Sequence, residues 1–138
     1  MLKLCKRAVK HVVRRALFPH DLSHCGSLGA SEYEFLKSLV ERANELPGDF
    51  VEIGTLFGST AQRLAAWKAP EKKVFAVDRF SWNPWILSPE EHERITANNL
   101  FYLTAHGHVE IVKADKNDFY RRPFAVPPAL AFLDAIHT

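Results

Sequence analysis

From residue 31 onward the apolar positions switch repeatedly between two periods. Tyr33, Phe35, Leu36, Leu39, Val40, Ala43 and Leu46 recur at helical spacing. Ser31, with Glu34 three residues on, forms a capping box that predicts where this helix starts. Pro47-Gly48-Asp49 is a turn. Residues 50–53 then read as a short buried strand, 59–67 as a helix and 74–77 as a second strand. Ser88 as cap and Pro89 at the first helical position start another helix, expected to run to about Ala105. A third strand over 109–112, a short helical turn from Asp115 and a fourth strand over 129–133 complete the series. The unbroken apolar runs at 50–51 and 129–133 suit strands covered on both faces. Strands alternating with helices imply right-handed crossovers and a parallel sheet, the Rossmann-like three-layer α/β/α class.

The first thirty residues follow a different pattern. Leu2, Cys5, Val9, Val12, Val13, Ala16 and Leu17 fall at helical spacing with basic residues between them, predicting an amphipathic helix of about four turns. Phe18-Pro19 ends it, because a residue before proline avoids the helical region. Residues 20–30, rich in Ser, Gly and His, read as a loop. The chain thus divides into a basic helix and loop (1–30) and an α/β domain (31–138).

Length and charge narrow the possibilities. The 138 residues suffice for one core and not for two. With 47% hydrophobic and 25% charged residues the composition is that of a soluble domain, and no apolar run approaches a membrane span. No secretory signal is evident, and Cys5 and Cys25 read as reduced thiols, so a cytoplasmic location is expected. The net charge of +2 hides an asymmetry: residues 1–15 carry six basic groups and no acid, leaving twelve basic against sixteen acidic residues beyond them. A nucleic-acid partner is therefore not expected. The basic helix reads as a solvated face packed on the domain, with anionic lipid or nucleic acid as the alternative contact for that helix. His20, His24 and Cys25 lack a fourth ligand at zinc spacing and read as loop residues.

Candidate chemistry concentrates after the first strand. Glu52-Ile53-Gly54-Thr55-Leu56-Phe57-Gly58-Ser59-Thr60 runs from a strand through two glycines four apart into a helix. Gly54 permits a tight turn and close approach of a ligand to the backbone. The amides after Gly58 offer donors and the positive end of a helix dipole, and Ser59 or Thr60 offers a hydroxyl as cap or ligand. Asp78 closes the second strand 24 residues after Gly54, Asp115 follows the third, and Asp134 and His137 follow the fourth. Phe80, Trp82 and Trp85 come after Asp78 and supply aromatic surface for a base or for packing.

In this order the motifs resemble those of class I S-adenosylmethionine-dependent methyltransferases over roughly residues 31–138. Glu52, Gly54 and Gly58 match the first motif of that family, and Phe132-Leu133-Asp134-Ala135-Ile136-His137 resembles a segment of a subgroup whose members often act on small molecules. The resemblance implies S-adenosylmethionine as cofactor. Glu52, Gly54, Thr55, Gly58, Ser59 and Thr60 would lie at its amino-acid end and Asp78 at the ribose hydroxyls. Arg79 would sit beside them (where the family often has proline), Asp115 near the adenine amino group and Asp134 next to the methyl-transfer centre. His137 is the candidate general base, Asp134 and His137 together forming the catalytic pair. No metal site is assigned; a divalent metal at Asp134 occurs in some such enzymes, but its further ligands would lie beyond Thr138. The implied activity is O- or N-methylation of a small molecule. The family's sheet has seven strands in the order 3-2-1-4-5-7-6, so the chain is expected to be the N-terminal half of such an enzyme, or to be completed by another chain or copy. The alternatives are a nicotinamide-dependent oxidoreductase, disfavoured because the middle glycine of its fingerprint is missing, and a non-enzymatic module acting through the basic helix.

Overall fold

Helices and strands alternate along residues 26, 28–81 and 87–134, the parts described by the computed structural model. The elements are α1 (Ala30–Ala43), β1 (Phe50–Ile53), α2 (Ser59–Trp67), β2 (Val74–Asp78), α3 (Pro89–Asn99), α4 (Phe101–Ala105), β3 (Val109–Lys113), α5 (Lys116–Tyr120) and β4 (Leu130–Leu133). All four strands are parallel, in the order β3-β2-β1-β4. Each connection therefore crosses over the sheet, and the helices provide the crossovers. The expected N-terminal helix, the His20, His24 and Cys25 group, Trp82, Trp85 and His137 lie outside the described residues.

The strand period of two divides the core between the sheet's faces. Phe50, Val74 and Ala76 point into one cluster with Leu36, Val40 and Ala43 of α1, Ala61 and Leu64 of α2, and Leu100. Val51, Ile53, Val77 and Val112 point into the other, closed by Phe119 of α5. Each fully buried side chain of this size contributes roughly 1.5–3 kcal/mol, so the central strands β1 and β2 are the most firmly held. The three-layer arrangement expected from the alternating pattern is present.

Three local expectations are corrected. The first helix starts at Ala30, not after a Ser31 cap: Gly29 is the N-cap, and its amide donates to the Glu32 carboxylate at 2.7 Å. Glu32 sits three residues after the cap, where it reaches back to an orphan donor, leaving Ser31 and Glu34 on the exposed side of the first turn. The long helix expected from Ser88 breaks at Leu100, whose backbone leaves helical geometry (φ −98°, ψ 3°). There the Leu100 side chain turns fully into the core, against Gly58. The fourth strand begins at Leu130 and is not covered on both faces, for Leu133 is 57% exposed. Ala131, on the same face, is exposed as well, and among the described residues β4 pairs with β1 alone, leaving its other edge open.

The entry to β1 is fixed by a turn. Gly48 has φ +98°, and a Cβ at that position would collide with the Pro127 carbonyl oxygen, which runs alongside on the way to β4. The Ala129 amide donates to the Asp49 carbonyl at 2.9 Å, carrying the β1–β4 pairing down to this turn. Gly48→Ala therefore combines left-handed strain with a backbone clash. It is expected to lower stability by at least ~2 kcal/mol, seen as an earlier urea midpoint with unchanged slope. An unchanged midpoint would show that the turn relaxes freely.

Candidate functional site

Strand order reverses at β1: β2 and β3 lie on one side and β4 on the other. In open parallel sheets, ligands bind beyond the carboxyl ends of the strands at such a switch point. Asp134 leaves β4 there with its amide donating to the Ile53 carbonyl at 2.9 Å, and Gly54 leaves β1 with its amide on the Val77 carbonyl at 2.8 Å. The pairing of Ile53 with Val77 and with Leu133 brings Glu52, Asp78 and Asp134 to one end of the sheet.

Glu52 is almost completely buried on the central strand. Burial pushes its carboxyl well above the ordinary carboxylate range. The negative charges of Asp134 and Asp78 add to the shift. Among the described residues, Glu52 Oε2 has no hydrogen-bond partner of good geometry.

Residues 54–58 form a loop gripped from both sides. The Asp78 carboxylate accepts from the amides of Thr55 (2.9 Å) and Leu56 (3.2 Å) through Oδ2, and from that of Phe80 (2.7 Å) through Oδ1. From the opposite side α3 supplies donors to the loop carbonyls. His92 Nε2 lies 2.6 Å and Thr96 Oγ1 2.5 Å from the Leu56 carbonyl oxygen, and Asn99 Nδ2 donates to the Phe57 carbonyl at 3.1 Å. A carbonyl oxygen only accepts, so Nε2 carries the hydrogen in this contact. The His92 ring is buried edge-on between Phe57 and Phe80, with centroids 5.2 Å and 5.1 Å away. Leu56 itself is left-handed, at φ 51°. That conformation costs a non-glycine residue of order 1–3 kcal/mol and persists only where the surroundings over-determine it.

The loop closes with the Gly58 amide on the Thr55 carbonyl at 2.8 Å and delivers the chain into α2. Gly58 is the N-cap of α2, at φ +88°, and a Cβ there would sit 2.8 Å from the Leu100 side chain. The glycine thus serves helix packing as well as the turn. Ser59 and Thr60, candidates for capping, are instead buried inside the first turn beneath α1. Their hydroxyls lie 3.4 Å and 3.3 Å from the Tyr33 hydroxyl. Arg63 donates to Ser59 Oγ at 2.8 Å and stacks over the Tyr33 ring.

Of the other candidates, Asp115 caps α5 by accepting from the Asn117 amide and pairs with Arg79 at 3.7 Å. Arg79 is mostly exposed. Phe80 belongs to the core, buried at φ 50°. The structure thus brings together Glu52, Gly54, Thr55, Gly58, Ser59, Thr60, Asp78 and Asp134, with the Asp115–Arg79 pair at the end of the neighbouring strands. His92, Thr96, Asn99 and Tyr33 were not among the sequence candidates. The first three stand at helical i, i+4, i+7 spacing, a polar stripe where an inward face normally carries apolar residues, and that is the signal that would have marked them.

A cavity of about 730 Å³ lies at the other end of the sheet, lined by Asn44, Asp49, Lys72, Phe75 and Phe124 among others. It opens at the amino ends of the strands, away from Glu52, Asp78 and Asp134. Among the described residues no group of His, Cys, Asp and Glu is arranged to hold a metal ion, and no helix is long and apolar enough to cross a membrane.

No protein-family profile and no curated protein sequence matches the chain. Solved structures do. An O-methyltransferase of Bacillus cereus in complex with S-adenosylhomocysteine aligns with a TM-score of 0.61 at 21% identity, over 93% of this chain and 60% of its own. A putative O-methyltransferase of Klebsiella pneumoniae aligns equally well at 19% identity, over the same shares. An O-methyltransferase of Streptomyces achromogenes involved in tomaymycin synthesis, in complex with S-adenosylmethionine, gives 0.60 at 20% identity, over 79% of this chain and 45% of its own. The chain has the fold of these proteins and spans between about half and three-fifths of their length.

The environment of Glu52 makes a pH-dependent prediction. A carboxyl whose pKa is higher folded than unfolded holds its proton more tightly in the folded chain. Its contribution to stability is complete below the ordinary value of 4.5 and is lost as pH rises toward the folded value. Glu52→Gln, which cannot ionise, escapes that loss. Its melting temperature relative to the parent should therefore climb as pH is raised from about 4 to about 8. A difference that stays flat or falls over this interval would refute the assignment.

Proposed function

We propose that this chain is the cofactor-binding half of an S-adenosylmethionine-dependent methyltransferase, acting on an oxygen or nitrogen of a small molecule. The observation that carries the reading is the meeting of the glycine loop, Glu52, Asp78 and Asp134 at the switch point of a parallel sheet. The fold shared with O-methyltransferases solved with S-adenosylmethionine or S-adenosylhomocysteine supports it.

The residues present fit that cofactor. A carboxylate offers about four acceptor positions, and three amides already occupy Asp78. One position remains for a ribose hydroxyl without releasing the loop. Glu52 Oε2, buried and unpartnered among the described residues, suits a donor such as the ammonium of the cofactor's amino-acid end. The first-turn amides of α2 have no carbonyl of their own helix to bond and face the same end as a positive pole. Asp115 lies within reach of Arg79 and is assigned to the adenine amino group. A nicotinamide dinucleotide fits less well, because the loop lacks the middle glycine and Asp78 would repel a 2′-phosphate beside Arg79.

When bound, the cofactor supplies an electrophilic methyl group. The chain's own part is to orient and to exclude water, so that an acceptor meets that methyl in line, an effect of positioning rather than of acid strength. Asp134, tied to β1 through its amide, lines the transfer centre. His137 takes the proton where the acceptor must lose one. A cytoplasmic location is proposed with this activity, on the reading of Cys5 and Cys25 as reduced thiols.

Calorimetric titration with S-adenosylhomocysteine, run beside the nicotinamide dinucleotides, tests the proposal: the first should bind and the others should not. Asp78→Ala removes a charged acceptor from both the ribose and the loop. At roughly 1.5–3 kcal/mol for a charge-assisted bond, affinity should fall about ten- to a hundredfold. Equal affinity of variant and parent would remove Asp78 from the site; binding of a dinucleotide instead of S-adenosylhomocysteine would overturn the reading as a whole.

A further inference from the structure

We propose that His92 and Thr96 are positioning residues for the cofactor, acting through the Leu56 carbonyl; this deepens the proposed function and rests on it. Leu56 is held at both ends of its backbone. Its amide donates to Asp78 Oδ2, and its carbonyl accepts from His92 Nε2 and Thr96 Oγ1. Gripping both peptide planes of one residue fixes its φ, here the left-handed 51°. That angle turns the chain so that the Gly58 amide meets the Thr55 carbonyl, and α2 starts with its first-turn amides at the carboxyl end of β1. Without the donors from α3, the part-buried Leu56 carbonyl loses both side-chain donors, and the loop is free to leave its strained conformation.

The identity of residue 92 supports this role over simple filling. Its ring lies 1% exposed between two phenylalanines, and Nδ1 has no partner among the described residues. An apolar side chain in that enclosure would avoid an unsatisfied nitrogen. The gain that offsets it is the bond from Nε2 to Leu56. Thr96 repeats the logic one turn along: its hydroxyl is 2.5 Å from Leu56 O and 3.1 Å from the His92 carbonyl, so its single hydrogen goes to the loop. Asn99 continues the same stripe on to the Phe57 carbonyl.

The test uses the whole 138-residue chain, titrated calorimetrically with S-adenosylhomocysteine and melted thermally, as parent, His92→Phe, His92→Gln and Thr96→Val. His92→Phe fills the enclosure without the donor and should bind about tenfold more weakly or worse. His92→Gln, whose amide nitrogen reaches the place of Nε2, should recover most of that loss. Thr96→Val should weaken binding a few-fold while remaining folded, and it carries the test if His92→Phe does not fold. A merely structural role would lower the melting temperature and leave the affinity of the folded fraction unchanged, without rescue by glutamine. If the parent binds and His92→Phe and Thr96→Val bind within twofold of it, this inference falls and the proposed function stands. If the parent itself binds no S-adenosylhomocysteine, both fall.

Discussion

The carboxylate of Asp78 is the constraint on which the functional end of this molecule depends. It stands on the last residue of β2, and the parallel register of β1 with β2 places it beside the first residues to leave β1. Its two oxygens collect three backbone amides, two from the loop after β1 and one from the turn after its own strand. Amides left unpaired at a buried strand end cost about as much as a lost hydrogen bond each. One side chain therefore satisfies the exits of two strands and sets the distance between them. That the same group is the candidate acceptor for a ribose hydroxyl means that anchoring the loop and holding a ligand are one electrostatic arrangement.

The opposite side of the loop is supplied by a helix whose inward face is polar. Buried polar residues are tolerated when their donors are matched to acceptors, and such a network then specifies one backbone arrangement. His92, Thr96 and Asn99 are matched to the carbonyls of Leu56 and Phe57, while Gln62 of α2 donates to the Asn99 carbonyl at 3.1 Å and closes the set. The break at Leu100 belongs to the same construction. It ends α3 after Asn99 and drops a leucine onto Gly58, so the helix that clamps the loop also packs against its exit.

The architecture was largely legible in the chain. The periods of two and 3.6 are strong signals in β1, β2 and β3, whose ends moved by no more than a residue, and in α2, which matched throughout. Glu52, Gly54, Gly58, Asp78 and Asp134 stand out as candidates from their places at strand ends together with the family resemblance, and the parallel sheet gathers those strand ends. Capping was less legible. Ser31 with Glu34 and Gly29 with Glu32 are both sound cap spacings, and local spacing does not choose between them; in the structure the bond from the Gly29 amide to Glu32 marks the start. The roles of Ser59 and Thr60 changed because α1 lies over them, a contact between segments 26 residues apart that no local pattern carries. The clamp from α3 was hidden for the same reason: its partners are carbonyls, which have no signature in a sequence. Only the stripe at 92, 96 and 99 announced that something polar waited on that side.

The proposed site for a ligand of the S-adenosylmethionine type is the carboxyl ends of β1 and β2, where the loop between Glu52 and Ser59 would hold it. Backbone amide mapping by ¹⁵N–¹H correlation during titration with S-adenosylhomocysteine tests it residue by residue. The largest saturable shifts are expected at Gly54, Thr55, Ser59, Thr60 and Arg79, with the cavity-lining amides of Asn44, Lys72 and Phe124 unmoved. Shifts centred on that cavity at the amino ends of the strands, or no saturable shift anywhere, would contradict it.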